Sequence, residues 1–126
     1  MSYFKTTDNC NIYYEFHKLQ IDAPVIVFLN GTILTTKSWW MQARYLKYKF
    51  NILLYDARGQ GQSDLGQSNL SLSIHINDLI QLLDYLCVNR IHLVGLSHGA
   101  RVACSFGTLA PGRINRMVLC GYADWL

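Results

Sequence analysis

The chain of 126 residues is 51% hydrophobic and 15% charged, with a formal net charge of +3, which suits one globular domain and excludes both a disordered chain and a two-domain one. No apolar run reaches the roughly 18 residues of a membrane span, the start Met1-Ser2-Tyr3-Phe4-Lys5 lacks the basic and apolar parts of a signal peptide, and the one basic cluster, Arg44, Lys47 and Lys49, reads as a solvated helix face rather than a nucleic-acid stripe. The four cysteines, Cys10, Cys87, Cys104 and Cys120, form no Cys-x-x-Cys pair, so they are expected to be buried reduced thiols, with no zinc or redox centre and a cytoplasmic location.

Two β-rich runs open the chain at residues 3–5 and 11–16, with Asp8-Asn9 as the turn between them. Val25 to Leu29 is then a solid apolar, β-branched run after Pro24, as a strand buried on both faces of a parallel sheet reads. Thr36 or Ser38 is expected to cap a helix running to about Tyr48, and Asn51 to Tyr55 forms the next buried strand. The glycine-rich stretch 56–66 is a loop. Ser71 or Ser73 caps a second helix, whose apolar Ile76, Leu79, Ile80, Leu83 and Leu86 recur at helical spacing. A third buried strand covers 91–94, a helix covers 100–109 and ends at Pro111-Gly112, and a last apolar strand covers 116–120. Strands alternating with helices through short loops imply a mostly parallel sheet with helices on both faces, made mixed by the opening hairpin. Ligands of such sheets bind outside the carboxyl ends of the strands.

The loops leaving those ends carry the chemistry. Gly95-Leu96-Ser97-His98-Gly99 follows a strand and opens a helix. A serine on so sharp a turn is held in a strained conformation, and the flanking positions must be small. The free N–H groups and positive end of the helix favour an oxyanion developing there. Asn30-Gly31-Thr32 follows an earlier strand, where the N–H of Thr32 could supply a second donor. The stretch 56–64, with Asp56, Arg58 and Asp64, could indicate acid–base or metal chemistry. No histidine is near it in spacing, and Asp and Arg in such a loop more often tie it together by hydrogen bonds. No metal site is expected.

These residues together resemble the α/β-hydrolase superfamily, over essentially the whole chain. The oxyanion loop follows the third strand, a D-x-R-G-x-G-x-S-D loop the fourth, and the G-x-S-x-G turn the fifth. The resemblance implies strand order 1-2-4-3-5-6, Ser97 as nucleophile, and an oxyanion hole from the N–H groups of Thr32 and His98. It also implies the chain order serine, acid, histidine. The sequence stops just after its sixth strand, so residues 1–126 are expected to be the N-terminal part of a single domain, truncated before the triad histidine. Asp124, after that strand, is the candidate acid. Of the four histidines, His98 is expected in the pocket wall, while His17, His75 and His92 read as structural.

The expected function is a serine hydrolase acting on a small ester, thioester or lactone without a cofactor, incomplete in this chain. The alternative is a non-catalytic hydrolase-like binding or assembly module, with the sixth strand pairing to a second copy or a partner chain. A nucleotide-binding domain is disfavoured, since neither G-x-G-x-x-G nor G-x-x-x-x-G-K-[ST] occurs.

Overall fold

The computed structural model describes residues 2–122; Asp124 lies outside the described residues. Strands β1 (Ser2–Lys5) and β2 (Asn11–His17) form the opening hairpin, and Asn9 at its turn takes a left-handed φ of 66°, which asparagine tolerates better than most residues. The other strands are β3 (Val25–Leu29), β4 (Asn51–Tyr55), β5 (Ile91–Leu96) and β6 (Ile114–Cys120). The six form one sheet in the order β1-β2-β4-β3-β5-β6. β2 runs antiparallel to β1 and β4, and the remaining pairs are parallel.

Every residue of β3 and β4 is buried, because each strand faces a layer on both sides. Val25, Val27 and Leu29 join Leu53 and Tyr55 on one face, against Ile76, Leu79 and Leu83 of α2 (Leu72–Tyr85) and Val102, Ala103 and Phe106 of α3 (His98–Leu109). Ile26 and Phe28 join Ile52 and Leu54 on the other face, under Trp39 and the half-buried Ala43 and Leu46 of α1 (Trp40–Leu46). The period-2 alternation of a strand divides the two cores, and each fully buried side chain of this kind stabilises by about 1.5–3 kcal/mol.

Several local expectations are corrected. The helix expected from residue 36 to 48 is a 3₁₀ turn (Thr36–Trp39) leading into the short α1. Its cap is Thr35, whose hydroxyl accepts from the Lys37 N–H while Ser38 closes a capping box. α3 starts at His98 rather than residue 100. The four cysteines are free, but only Cys10 is buried; Cys87 and Cys104 are exposed. Cys87 follows α2 with φ 58°, and Cys104 falls off the stripe of α3 that buries Ala100, Val102, Ala103 and Phe106. No described helix is long and apolar enough to cross a membrane.

Candidate active site at the carboxyl edge of the sheet

β3, β4 and β5 end side by side, and their following loops meet above the sheet. Ser97 is the single residue between β5 and α3, with φ 56° and ψ −113°. A non-glycine residue in that conformation costs on the order of 1–3 kcal/mol and persists only where its surroundings enforce it. The enforcement is close packing. A Cβ at Gly95 would lie 2.5 Å from the Gly99 carbonyl oxygen, and one at Gly99 would overlap the Leu29 carbonyl of β3. The Ser97 N–H donates to the Cys120 carbonyl (2.8 Å), and its own carbonyl accepts from the Ala100 N–H (2.9 Å). The side chain is exposed and caps nothing.

The β3 loop reaches the same place. Gly31 packs against Leu34 and the Leu96 carbonyl, and the Leu34 N–H donates to the Gly31 carbonyl at 3.1 Å. Between them Ile33 takes φ 62° while 88% exposed. A β-branched residue is a true outlier there; no sequence pattern pointed to it.

Behind these loops lies a closed polar frame. Asp56 is fully buried. Its Oδ1 accepts from the Thr36 N–H (2.9 Å) and Asn30 Nδ2 (3.2 Å), and its Oδ2 from the Gln62 N–H (2.9 Å). Asn30 Oδ1 in turn accepts from the Trp39 indole at 2.7 Å. Arg58, 1% exposed, donates Nε and Nη2 to Asp78 of α2 (2.9 and 2.8 Å) and Nη1 and Nη2 to Asp8 of the hairpin turn (2.7 and 2.8 Å). Arg58, with Thr6, holds the Asp8 carboxyl well below its usual range, whereas burial pushes Asp78 up against the pull of the same guanidinium. The acidic and basic residues of the stretch 56–64 therefore tie the loop together, as the sequence indicates. Among the described residues no group of three or more His, Cys, Asp or Glu side chains could hold a metal ion.

In front of the frame opens a cavity of about 600 Å³. Thr32 and Ile33 line it from the β3 loop, residues 58–61 from the β4 loop, residues 70–72 and His75 from the start of α2, and His98 and Arg101 from the first turn of α3. Thr32 and His98 thus line the same cavity, and the exposed Ser97 directly precedes His98 in the chain. His98 stands edge-on to His75, ring centroids 5.4 Å apart. Burial, then the charges of His98 and Arg58, depress the His75 imidazole; burial and Arg101 depress that of His98. Both shifts favour the neutral imidazole.

His75 and Arg101 are wall residues that the motifs did not single out. A signal exists: α3 follows β5 after one residue and α2 follows the loop that leaves the end of β4, so the first turns of both helices belong to the ligand edge. His17 and His92 take no part in this cavity; His92 stacks edge-on with Phe50 instead.

Comparison with known proteins agrees with this fold. A family model described as alpha/beta hydrolase fold matches residues 24–125. The 3-oxoadipate enol-lactonase 1 of Acinetobacter baylyi is 31% identical over 102 residues, which cover 81% of this chain and 38% of that protein. A hydrolase from Pseudomonas aeruginosa superposes with TM-score 0.92 at 34% identity, over 99% of this chain and 47% of its own. The enol-lactonase of Burkholderia xenovorans superposes with TM-score 0.91 at 27% identity, over 97% and 47%. The chain thus spans less than half the length of these relatives.

Proposed function

Because the chain belongs to the alpha/beta hydrolase fold family, we propose that it carries the nucleophile and oxyanion hole of a serine hydrolase acting on small esters, thioesters or lactones. The observation that carries this reading is the conformation of Ser97: strained, exposed, and placed between a strand end and a helix N-terminus, directly before His98 of the cavity lining. In the proposed reaction Ser97 Oγ attacks the acyl carbon. The N–H groups of Thr32 and His98 hold the tetrahedral oxyanion, and collapse breaks the acyl–oxygen or acyl–sulfur bond, the proton lost from Ser97 Oγ passing to the departing alcohol, thiol or ring oxygen. Water then releases the acyl group from Ser97. The enol-lactonase relatives favour a lactone among the substrates.

A serine hydroxyl needs a base to become a good nucleophile. None of the described side chains hydrogen-bonds to Ser97, and Asp124 remains the proposed acid. This chain is therefore expected to turn over a p-nitrophenyl ester about 10⁴-fold or more slowly than an enzyme with a complete triad. A fluorophosphonate left on it for hours should still mark Ser97 and spare Ser97→Ala. Label on another residue, or none on the folded chain, overturns the reading.

A non-catalytic assembly module is the second reading, favoured by β6. That strand ends the described sheet, with Val118 53% and Leu119 40% exposed. Two copies could pair there edge to edge, antiparallel about a two-fold axis. Sedimentation equilibrium at micromolar concentration tests it, and a clean 14.4 kDa monomer counts against it.

A further inference from the structure

We infer that α1 docks the protein onto the surface of an anionic phospholipid bilayer, through a face where Trp40, Met41, Tyr45 and Tyr48 interleave with basic residues. This surface lies apart from Ser97 and does not rest on the reading of that serine.

α1 is apolar on two sides. Ala43 and Leu46, with Trp39 just before the helix, pack on the sheet against Ile26 and Phe28. Positions 40, 41, 44, 45 and 48 share the opposite face at about 3.6 residues per turn. The backbone stays helical beyond Leu46, where the Lys47 and Phe50 N–H groups donate to the Ala43 and Leu46 carbonyls at 3.0 and 3.1 Å. Trp40, Met41, Arg44, Tyr45 and Tyr48 surround one open groove of about 490 Å³. The four uncharged members are 59–83% exposed, and no residue of α1 is buried. α2, by contrast, turns Ser73, Asn77 and Asp84 outward. A cluster of large apolar side chains on a solvent face marks a surface that a partner covers.

Charge selects the partner. Lys37, Arg44, Lys47 and Lys49, in or next to α1 in the chain, are all exposed, and none forms an ion pair among the described residues. No acidic residue occurs between Asp22 and Asp56. Glu15 borders the neighbouring groove towards β2, where it accepts from the Tyr13 hydroxyl at 2.9 Å and meets His17. The basic cluster that reads in sequence as a solvated helix face is thus mixed with aromatic surface; Lys47 Nζ stands over the Tyr48 ring, 5.3 Å from its centroid. Trp and Tyr settle at the boundary between headgroups and acyl chains, where Lys and Arg meet lipid phosphates. Each such cation strengthens binding to an anionic surface about fivefold, whereas the cores of protein interfaces are depleted in lysine. A second copy fits badly, since a two-fold contact through this face sets the same cations against one another. α1 lies on the opposite face of the sheet from α2 and α3, whose first turns line the cavity, so docking leaves those helices uncovered.

Co-sedimentation with vesicles tests this. The chain should bind vesicles of equal parts phosphatidylcholine and phosphatidylglycerol about tenfold or more tightly than phosphatidylcholine alone, and less tightly as salt is raised. Brominated phosphatidylcholine in the mixed vesicles should quench the tryptophan emission of the native chain, and less so in Trp40→Ser. Arg44→Gln with Lys47→Gln, and separately Tyr45→Ser with Tyr48→Ser, should each weaken binding about tenfold or more. Lys5→Gln with Arg90→Gln removes the same charge from exposed positions outside the grooves and should change binding by no more than about twofold. Circular dichroism checks that each variant folds, and the lipid and quenching comparisons on the native chain need no variant. No binding to either vesicle, equal binding to both, or unaltered binding in the folded α1 variants overturns the inference. Binding that inorganic phosphate competes away, with the tyrosines dispensable, would assign the cations to a free anion and overturn it too. A dimer dissolved by the tyrosine pair, without vesicle binding, would assign the face to a second copy.

Discussion

The loop after β4 and the turn after β5 leave the same edge of one sheet, yet their polar groups have opposite fates. In the β4 loop every charge is answered. Asp56 accepts from two backbone N–H groups and an amide, and Arg58 is clasped by two carboxylates. At the β5 turn a serine is strained and left exposed, two depressed imidazoles stand together, and the Arg101 guanidinium forms no ion pair among the described residues. Satisfied polar groups hold a scaffold rigid, whereas unsatisfied ones at a strained point are available to a ligand. The comparison teaches that rich polar chemistry in a loop does not by itself mark a reactive site.

The largest blow to the comparison should come at Arg58. Arg58→Met leaves Asp78, 3% exposed, as an unpaired buried carboxylate, and breaking such a pair typically costs about 3–5 kcal/mol. Urea denaturation measures it, and a loss below about 1 kcal/mol would mean the frame is not structural. Gly99→Ala should come next. Its new methyl meets backbone of β3, which cannot swing aside as a side chain can. A cost of about 1–3 kcal/mol is expected, together with loss of fluorophosphonate label. Gly112→Ala, where nothing lies within 4 Å, is the control and should cost little.

A smaller effect of opposite sign is expected at the turn itself. Ser97→Gly removes the penalty of φ 56° and should stabilise the chain by about 1 kcal/mol after the entropy cost of glycine, while Ser97→Ala should not; both lose the label. Stabilisation of both alike, or of neither, would show that strain is not stored there. The smallest effect concerns pH. Burial depresses His75 and His98 below the ordinary 6.5, so the unfolded chain binds their protons more readily. Stability should then be full above the ordinary imidazole range and decline as pH falls from about 7 towards 5. A thermal-melt series should show a shallower decline in His75→Gln, and an unchanged slope in that variant would remove the imidazoles from this account.

Much of this molecule was legible because its signals are local. The unbroken apolar runs at Val25–Leu29 and Asn51–Tyr55 became strands buried on both faces. The serine at residue 71 caps α2, its hydroxyl accepting from the Ile74 N–H, and the glycines of the G-x-S-x-G stretch sit where any Cβ would clash. The beginning of α1 was misread because tertiary contacts compete there: the Thr36 N–H belongs to Asp56, twenty residues away, and the Trp39 indole to Asn30. Cys87 and Cys104 were misread because apolar surroundings in sequence do not reveal which side of a helix end or stripe faces out.

By itself, then, the sequence determined the strands, the order of strand and helix, and the strained turn at Ser97, all set by hydrophobic period and backbone sterics over a few neighbouring residues. Only the tertiary structure decided which polar groups are paired and which are free. Arg58 meets Asp8 across 50 residues and Asp78 across 20, and His75 meets His98 only when α2 and α3 settle on the same face. Pairing depends on distance in space, and a chain carries no local mark of the partner that folding will bring.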